Sequence, residues 1–286
     1  MPIYAPTLPP RPSDETPSHP IAVLMRFERD RLRRQKLGRF FGFAFVGLFL
    51  VKLSILYVRY LVDTQAALRE VKGFANRVLS QGPDFQAGLL DPASYLLWFL
   101  VALVGGGLIA RDTLHRIRPL IYAHPVRPKD YLLAKLGFAA GLPIAILLPF
   151  AFGPWLLSLM IAGAQGPVWV TAPLHLLPAI GIMGLLMGAV ALGASSLAGT
   201  PKGGVGWVLG VILGCSAVAG MLHGLLENGA WEALNPIMLS YAWPQLCCGV
   251  DHPVIGWVPT LLGTAAHIAL WLEIARRRTL PSEAVL

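Results

Sequence analysis

The sequence predicts an all-α membrane protein with six transmembrane helices and both termini on the cytoplasmic side. Three observations lead there. Of the 286 residues, 55% are hydrophobic and only 13% are charged, about half the charge of an ordinary soluble domain. Mean hydropathy is +0.62, and several apolar stretches reach the roughly 20 residues that cross a hydrocarbon core of about 30 Å. The basic residues, finally, gather on one side of those stretches, as cytoplasmic flanks do.

Taken in chain order, residues 1–23 read as a disordered leader, because residues 1–20 hold seven prolines and almost nothing to bury. No short apolar core near the start suggests a cleavable signal peptide. The stretch from Arg26 to Lys36 is basic, with Leu24, Phe27 and Leu32 as a thin apolar stripe, and predicts a helix at the membrane surface. A six-span domain is expected over residues 24–278. Its spans run over residues 40–60, 94–110, 131–162, 172–197, 204–226 and 254–275, followed by a cytoplasmic tail at 279–286. The third span is long enough to project or tilt, and Pro143, Pro149 and Pro154 within it predict kinks.

With those spans, seventeen Lys and Arg fall on one side and three (Arg69, Lys72, Arg77) on the other. The net charge of +8 is therefore read as topology rather than as a nucleic-acid surface, and a multi-pass protein of the cell membrane, of the bacterial cytoplasmic type, is expected. On the outer side, residues 64–80 place Leu68, Val71, Ala75, Val78 and Leu79 on one helical face, which predicts an amphipathic helix. Residues 227–253 carry aromatics, prolines and no basic residue, the pattern of a re-entrant or interfacial hairpin before the last span.

The chain lacks the motifs of several chemistries. It has no glycine-rich loop ending in Gly-Lys-Ser/Thr to cradle a nucleotide, no His-Glu-x-x-His and no Cys-x-x-Cys. Gly-x-Ser-x-Gly is missing as well. If the protein does energy-consuming work, a separate subunit supplies the energy. The most informative segment is the cytoplasmic loop 111–130. Arg111 and Asp112 sit where span 2 leaves the membrane, with Asp112 expected near the start of a short helix and favoured there by its dipole. Leu114 and Ile117 share one face and Arg116 another, and Pro119, Pro125 and Pro128 stiffen the connection to span 3. Such a compact basic helix on rigid connectors is suited to passing force from a soluble partner into the bundle. A plain basic loop rich in proline is the alternative.

That loop resembles the corresponding one in permease subunits of the exporter superfamily of ABC transporters. The matching residues are Arg111, Asp112, Leu120, Pro125, Val126, Arg127, Tyr131 and Lys135. Leu90-Asp91-Pro92-Ala93-Ser94-Tyr95 is similar to the family's entry to its second span, and Leu234-Asn235-Pro236-Ile237 to its outer Asn-Pro step. The family's acid-rich start of the coupling helix is here more basic, Arg111-Asp112-Thr113-Leu114-His115-Arg116. The resemblance implies a permease subunit, not itself an enzyme, that pairs with a second permease chain, identical or not, on ATP-binding subunits that hold ATP and Mg. It further implies ATPase contact through Arg111, Asp112, Leu114, Arg116, Ile117 and Arg118.

Titratable residues in and beside the spans suggest other roles. Lys52 lies inside span 1, where a charge costs several kcal/mol; it either lines a translocation path or snorkels to the outer interface near Arg59. His267 in span 6 and His223 could line the same path. With His175, His252, Cys247 and Cys248 they could also form a copper or zinc site, which would make the chain an intramembrane metal or redox enzyme. No pair has i, i+4 ligand spacing on an expected helix, and hydrogen-bonded histidines are the simpler reading. A membrane anchor that recruits a partner complex without transport is a further alternative. Glu273 is expected to pair with Arg277, and Gly105-Gly106-Gly107, the small residues of 188–196 and the span 5 glycines are expected at close helix contacts.

Overall fold

A computed structural model of the chain describes residues 20–34, 36–64, 87–88, 90–117, 127–162 and 171–279. The elements are α1 (Pro20–Arg34), α2 (Lys36–Thr64), α3 (Asp91–Gly105), α4 (Leu108–Leu114), α5 (Pro128–Ala162), α6 (Ala172–Leu197), α7 (Pro201–Leu226), a 3-10 turn (Gly229–Leu234), α8 (Pro236–Cys247) and α9 (Trp257–Thr279). The described residues contain no strand. Six helical stretches are long and apolar enough to cross a membrane: Gly38–Val58, Ala93–Leu114, Pro128–Met160, Ala172–Leu197, Pro201–Leu226 and Trp257–Thr279.

The bundle is built around α6, which packs against α5, α9, α7, α8, α3 and α4. Its small residues make this possible. A Cβ on Gly188 would lie 2.7 Å from the Ala140 backbone nitrogen of α5, and one on Gly193 would lie 2.6 Å from the Trp271 carbonyl oxygen of α9. Only glycine admits backbones that close. The outer helices keep their apolar faces uncovered: Phe43 and Val46 on α2, Leu213 and Met221 on α7, Val258 and Leu262 on α9. Exposed apolar area on that scale belongs against lipid tails rather than water.

Most expected elements occur, with shifted limits. The surface helix is already formed at Pro20, upstream of the expected boundary at residue 24. Phe27, expected on its apolar stripe, is exposed, and the buried residue of α1 is Glu28. Span 2 is not one helix; it breaks between α3 and α4 at Gly106-Gly107. The third span runs unbroken through Pro143, Pro149 and Pro154 for 35 residues, about 52 Å of helix. The last helix starts at Trp257, not 254, since His252 Nδ1 accepts bonds from the Val254 and Ile255 amides and holds them in a turn. The amphipathic segment 64–80 falls, beyond Thr64, outside the described residues.

Segment 227–253 folds as the 3-10 turn and α8. At 12 residues, α8 is about 18 Å long, too short to span. Asn235 caps it, its Oδ1 accepting from Ile237 N (3.1 Å), Met238 N (3.3 Å) and Ser216 Oγ of α7 (2.7 Å). Pro236 comes next as first helical residue, which gives the Asn-Pro step a physical reason. Trp98 Nε1 donates to Ser240 Oγ (3.1 Å) and Trp243 Nε1 to Thr264 Oγ1 (2.8 Å), fastening α8 to α3 and α9.

Candidate functional site

The break in span 2 shapes one end of the bundle. Gly106 lies against the backbone of α7, so that a Cβ would stand 2.7 Å from Val205 N. The helical ladder lapses there, and Ser195 of α6 replaces it. Its Oγ donates to Gly106 O (2.7 Å) and accepts from Ile109 N (3.0 Å) and Ala110 N (3.2 Å). One buried hydroxyl thus satisfies three backbone groups that would otherwise be orphaned. The break also sets the direction of α4, whose Leu108, Ile109, Ala110 and Asp112 are buried.

Facing α4 is the first part of α5. Asp130 in its first turn complements the helix dipole. Tyr131 and Lys135, four residues apart, share a face and both reach Asp112. Tyr131 Oη donates to Asp112 Oδ2 at 2.8 Å, and Lys135 Nζ lies 2.7 Å from the same oxygen. Lys135 Nζ is also 2.5 Å from Glu28 Oε1 of α1 and 3.2 Å from Leu108 O. The three ammonium protons of Lys135 therefore have three acceptors, and Arg31 stands 3.7 Å from the other Glu28 oxygen. Glu28, Asp112 and Lys135 are each 3% exposed. Burying ions is costly, and it holds here because each has its counter-charge and hydrogen bonds. The result is a rigid ionic joint between α1, α4 and α5.

Residues expected to contact a partner divide around this joint. Leu114 and Arg116 are exposed, Ile117 is half-buried, and Arg118 lies outside the described residues. Arg116 turns the chain with φ +51°, a conformation that a non-glycine residue adopts at a cost. Arg111 is half-buried and lines a cavity with Arg31, Arg34 and His115. Two expectations need correction. Asp112 is near the end of its short helix rather than the start, so it complements no N-terminal dipole. It is also turned inward against Lys135 and Tyr131, so it holds the segment in place and offers no surface for docking. Glu28 went unnoticed in sequence because it sits in a run of arginines. The signal was its spacing: Leu24, Glu28 and Leu32 are one helical row, an acid in the middle of an apolar stripe.

At the opposite end, Lys52 does not hang free. Its Nζ donates to Gly88 O at 3.3 Å, and its charge acts on Asp91. Asp91, just outside the candidate span, lies beside Tyr241, and its Oδ1 is buried without a partner. Burial raises its carboxyl to about 6, against smaller opposing pulls from Tyr241 and Lys52. His267 is buried, with Nε2 at 3.1 Å from Leu234 O. His223 faces Glu232 at 3.5 Å, and His175 Nδ1 lies 3.0 Å from Cys247 O. Each of these histidines has a local partner, although His267 Nδ1 is buried without one, and among the described residues no three His, Cys, Asp or Glu gather as metal ligands. Glu273 pairs with Arg277 at 2.6 Å as expected, and with Arg276 at 2.7 Å.

No protein-family model matches this chain, and no curated protein matches it either.

Proposed function

We propose that this chain is a membrane-spanning permease subunit of an ABC-type transporter, an exporter driven by a separate ATP-binding subunit. One observation carries the reading. Three of the residues on which the resemblance rests meet in a buried joint, Tyr131 and Lys135 both contacting Asp112 at 2.7–2.8 Å, and Arg111 adjoins it. A chance likeness of sequence would have no reason to put its residues in mutual contact. In this reading the joint lies at the cytoplasmic end, both termini face the cytoplasm, and α8 is a re-entrant segment on the outer side.

The mechanism rests on stiffness. Leu114, Arg116 and Ile117 present a basic and apolar surface to a groove in the ATPase, and Arg118 follows them in sequence. Push on that surface is transmitted through Asp112 to Lys135 and so to the long α5. Glu28 passes the same displacement to α1 and, through it, to α2, which is only lightly packed. ATP and Mg are bound and consumed by the partner. Support for a second permease chain comes from α7, where Gly206, Gly210, Gly214 and Gly220 meet nothing within 4 Å. Close approach of another helix is what such an open glycine row permits.

The test is purification of the tagged protein from its host in mild detergent, with co-purifying chains identified and weighed. An ATP-binding subunit at one-to-one stoichiometry is expected. The double variant Arg116→Glu/Arg118→Glu should insert normally and lose that subunit. Absence of any ATPase from the wild-type complex, or normal coupled hydrolysis by the double variant, overturns the reading.

A further inference from the structure

Between α1, α2 and α5 lie two adjoining cavities, of about 330 and 350 Å³, each within the usual size range of small-molecule sites. They share Leu32, Leu142 and Ala145, so they form one continuous crevice. Its two ends differ in chemistry. The mouth is edged by Arg26 and Arg29 of α1; the depth is walled by Phe41, Phe45 and Phe49 of α2 and Leu100 of α3. Glycines keep it open: Gly42 on α2 and Gly141 on α5 face it, and a Cβ on either would meet nothing within 4 Å.

From this geometry we infer that the crevice is a binding site for one anionic phospholipid, its phosphate at Arg26 and Arg29 and an acyl chain lying inward along α5. Length agrees with that occupant. From Gly137 to Phe150 the α5 wall runs about 20 Å by helix rise, slightly more than one leaflet of hydrocarbon, about 15 Å. Charge agrees as well. Arg26 has no ion pair among the described residues, and Arg29 has only an exposed pair with Asp30 at 3.2 Å, a partner that a phosphate readily displaces. Basic residues at the membrane surface select anionic headgroups. A free phosphate would use the mouth but gain nothing from the apolar depth. The site is independent of the transporter reading, since it involves neither the 111–118 surface nor an ATPase.

Native mass spectrometry of the detergent-purified full chain, with whatever subunits accompany it, tests the assignment. The probes are dioleoylphosphatidylglycerol, dioleoylphosphatidylcholine and glycerol 3-phosphate. One phosphatidylglycerol per chain should be retained in preference to phosphatidylcholine, and glycerol 3-phosphate should not compete. Gly141→Leu and, separately, Gly42→Leu should abolish retention of either lipid by filling the crevice. Arg26→Gln/Arg29→Gln, which alters only exposed side chains, should lower affinity for phosphatidylglycerol about thirtyfold and leave phosphatidylcholine unchanged. Equal retention of the two lipids by the wild type overturns the proposal. So does full retention in both glycine variants, or effective competition by glycerol 3-phosphate.

Discussion

Replacing Lys135 with methionine keeps the length of the side chain and removes only its charge and donors. Glu28 Oε1 and Asp112 Oδ2, at 2.5 and 2.7 Å from Nζ, then lose the ammonium they share, and Leu108 O loses a donor. Asp112 keeps Tyr131, and among the described residues Glu28 keeps only the longer contact with Arg31. Removing one partner from a buried ion pair costs about 3–5 kcal/mol, chiefly because the other charge stays buried. At about 2–4 °C per kcal/mol for a large domain, Lys135→Met should lower the unfolding midpoint in detergent by roughly 6–20 °C, read from tryptophan fluorescence. The triple variant Glu28→Gln/Asp112→Asn/Lys135→Met takes away the stranded charges too, and should recover more than half of the loss. A single variant within about 2 °C of the parent refutes the joint as described. A triple variant no better than the single refutes the explanation by stranded charge.

Neighbouring features carry outcomes of their own. Ser195→Ala strips the break in span 2 of its donor and acceptor; a loss of about 1–3 kcal/mol and faster hydrogen exchange at Ile109 and Ala110 are expected, and unchanged exchange would count against the bridging role. Gly204→Ala places a Cβ where it overlaps the Gly106 carbonyl oxygen, whereas Gly47→Ala enters open space, so only the first should reduce thermal stability. Asp91 sets a pH dependence. Its carboxyl, raised by burial from 3.8 to about 6, binds a proton more readily folded than unfolded. Its contribution is therefore complete below about pH 4 and is lost as the pH rises through 6. Unfolding temperature should fall across that window, and Asp91→Asn should remove the fall; an identical slope in the variant would place its origin elsewhere.

The six spans were legible because length and hydropathy are local properties, readable in a window of about 20 residues. Breaking of the second span was half legible: Gly105-Gly106-Gly107 marked a close approach, but the serine that heals the gap lies 89 residues from Gly106. The ionic joint was legible only in its parts. Arg111 and Asp112 stood out by their place at the end of span 2, Tyr131 and Lys135 entered through the resemblance, and nothing local showed that Asp112 faces inward, since its partners come from another helix. Glu28 was hidden by composition, because a single acid among the arginines of α1 reads as solvated unless its row is followed. At the other end, the charge on Lys52 drew attention and Asp91 entered only within the stretch similar to the family's entry to its second span, while Tyr241, beside Asp91 from another helix, had no signature of its own.

The joint also orders events in time. Glu28 and Lys135 are 107 residues apart, and at about 5–20 residues per second of synthesis the lysine emerges after the glutamate by roughly 5–20 s. During that interval α1, with its five arginines, has no lysine to dock on, so the joint closes only after the first two apolar stretches have been made. A nascent chain interrupted before residue 135 would leave Glu28 and Asp112 without their counter-ion, an unfinished seam by which a membrane protease could tell an aborted product from a complete one.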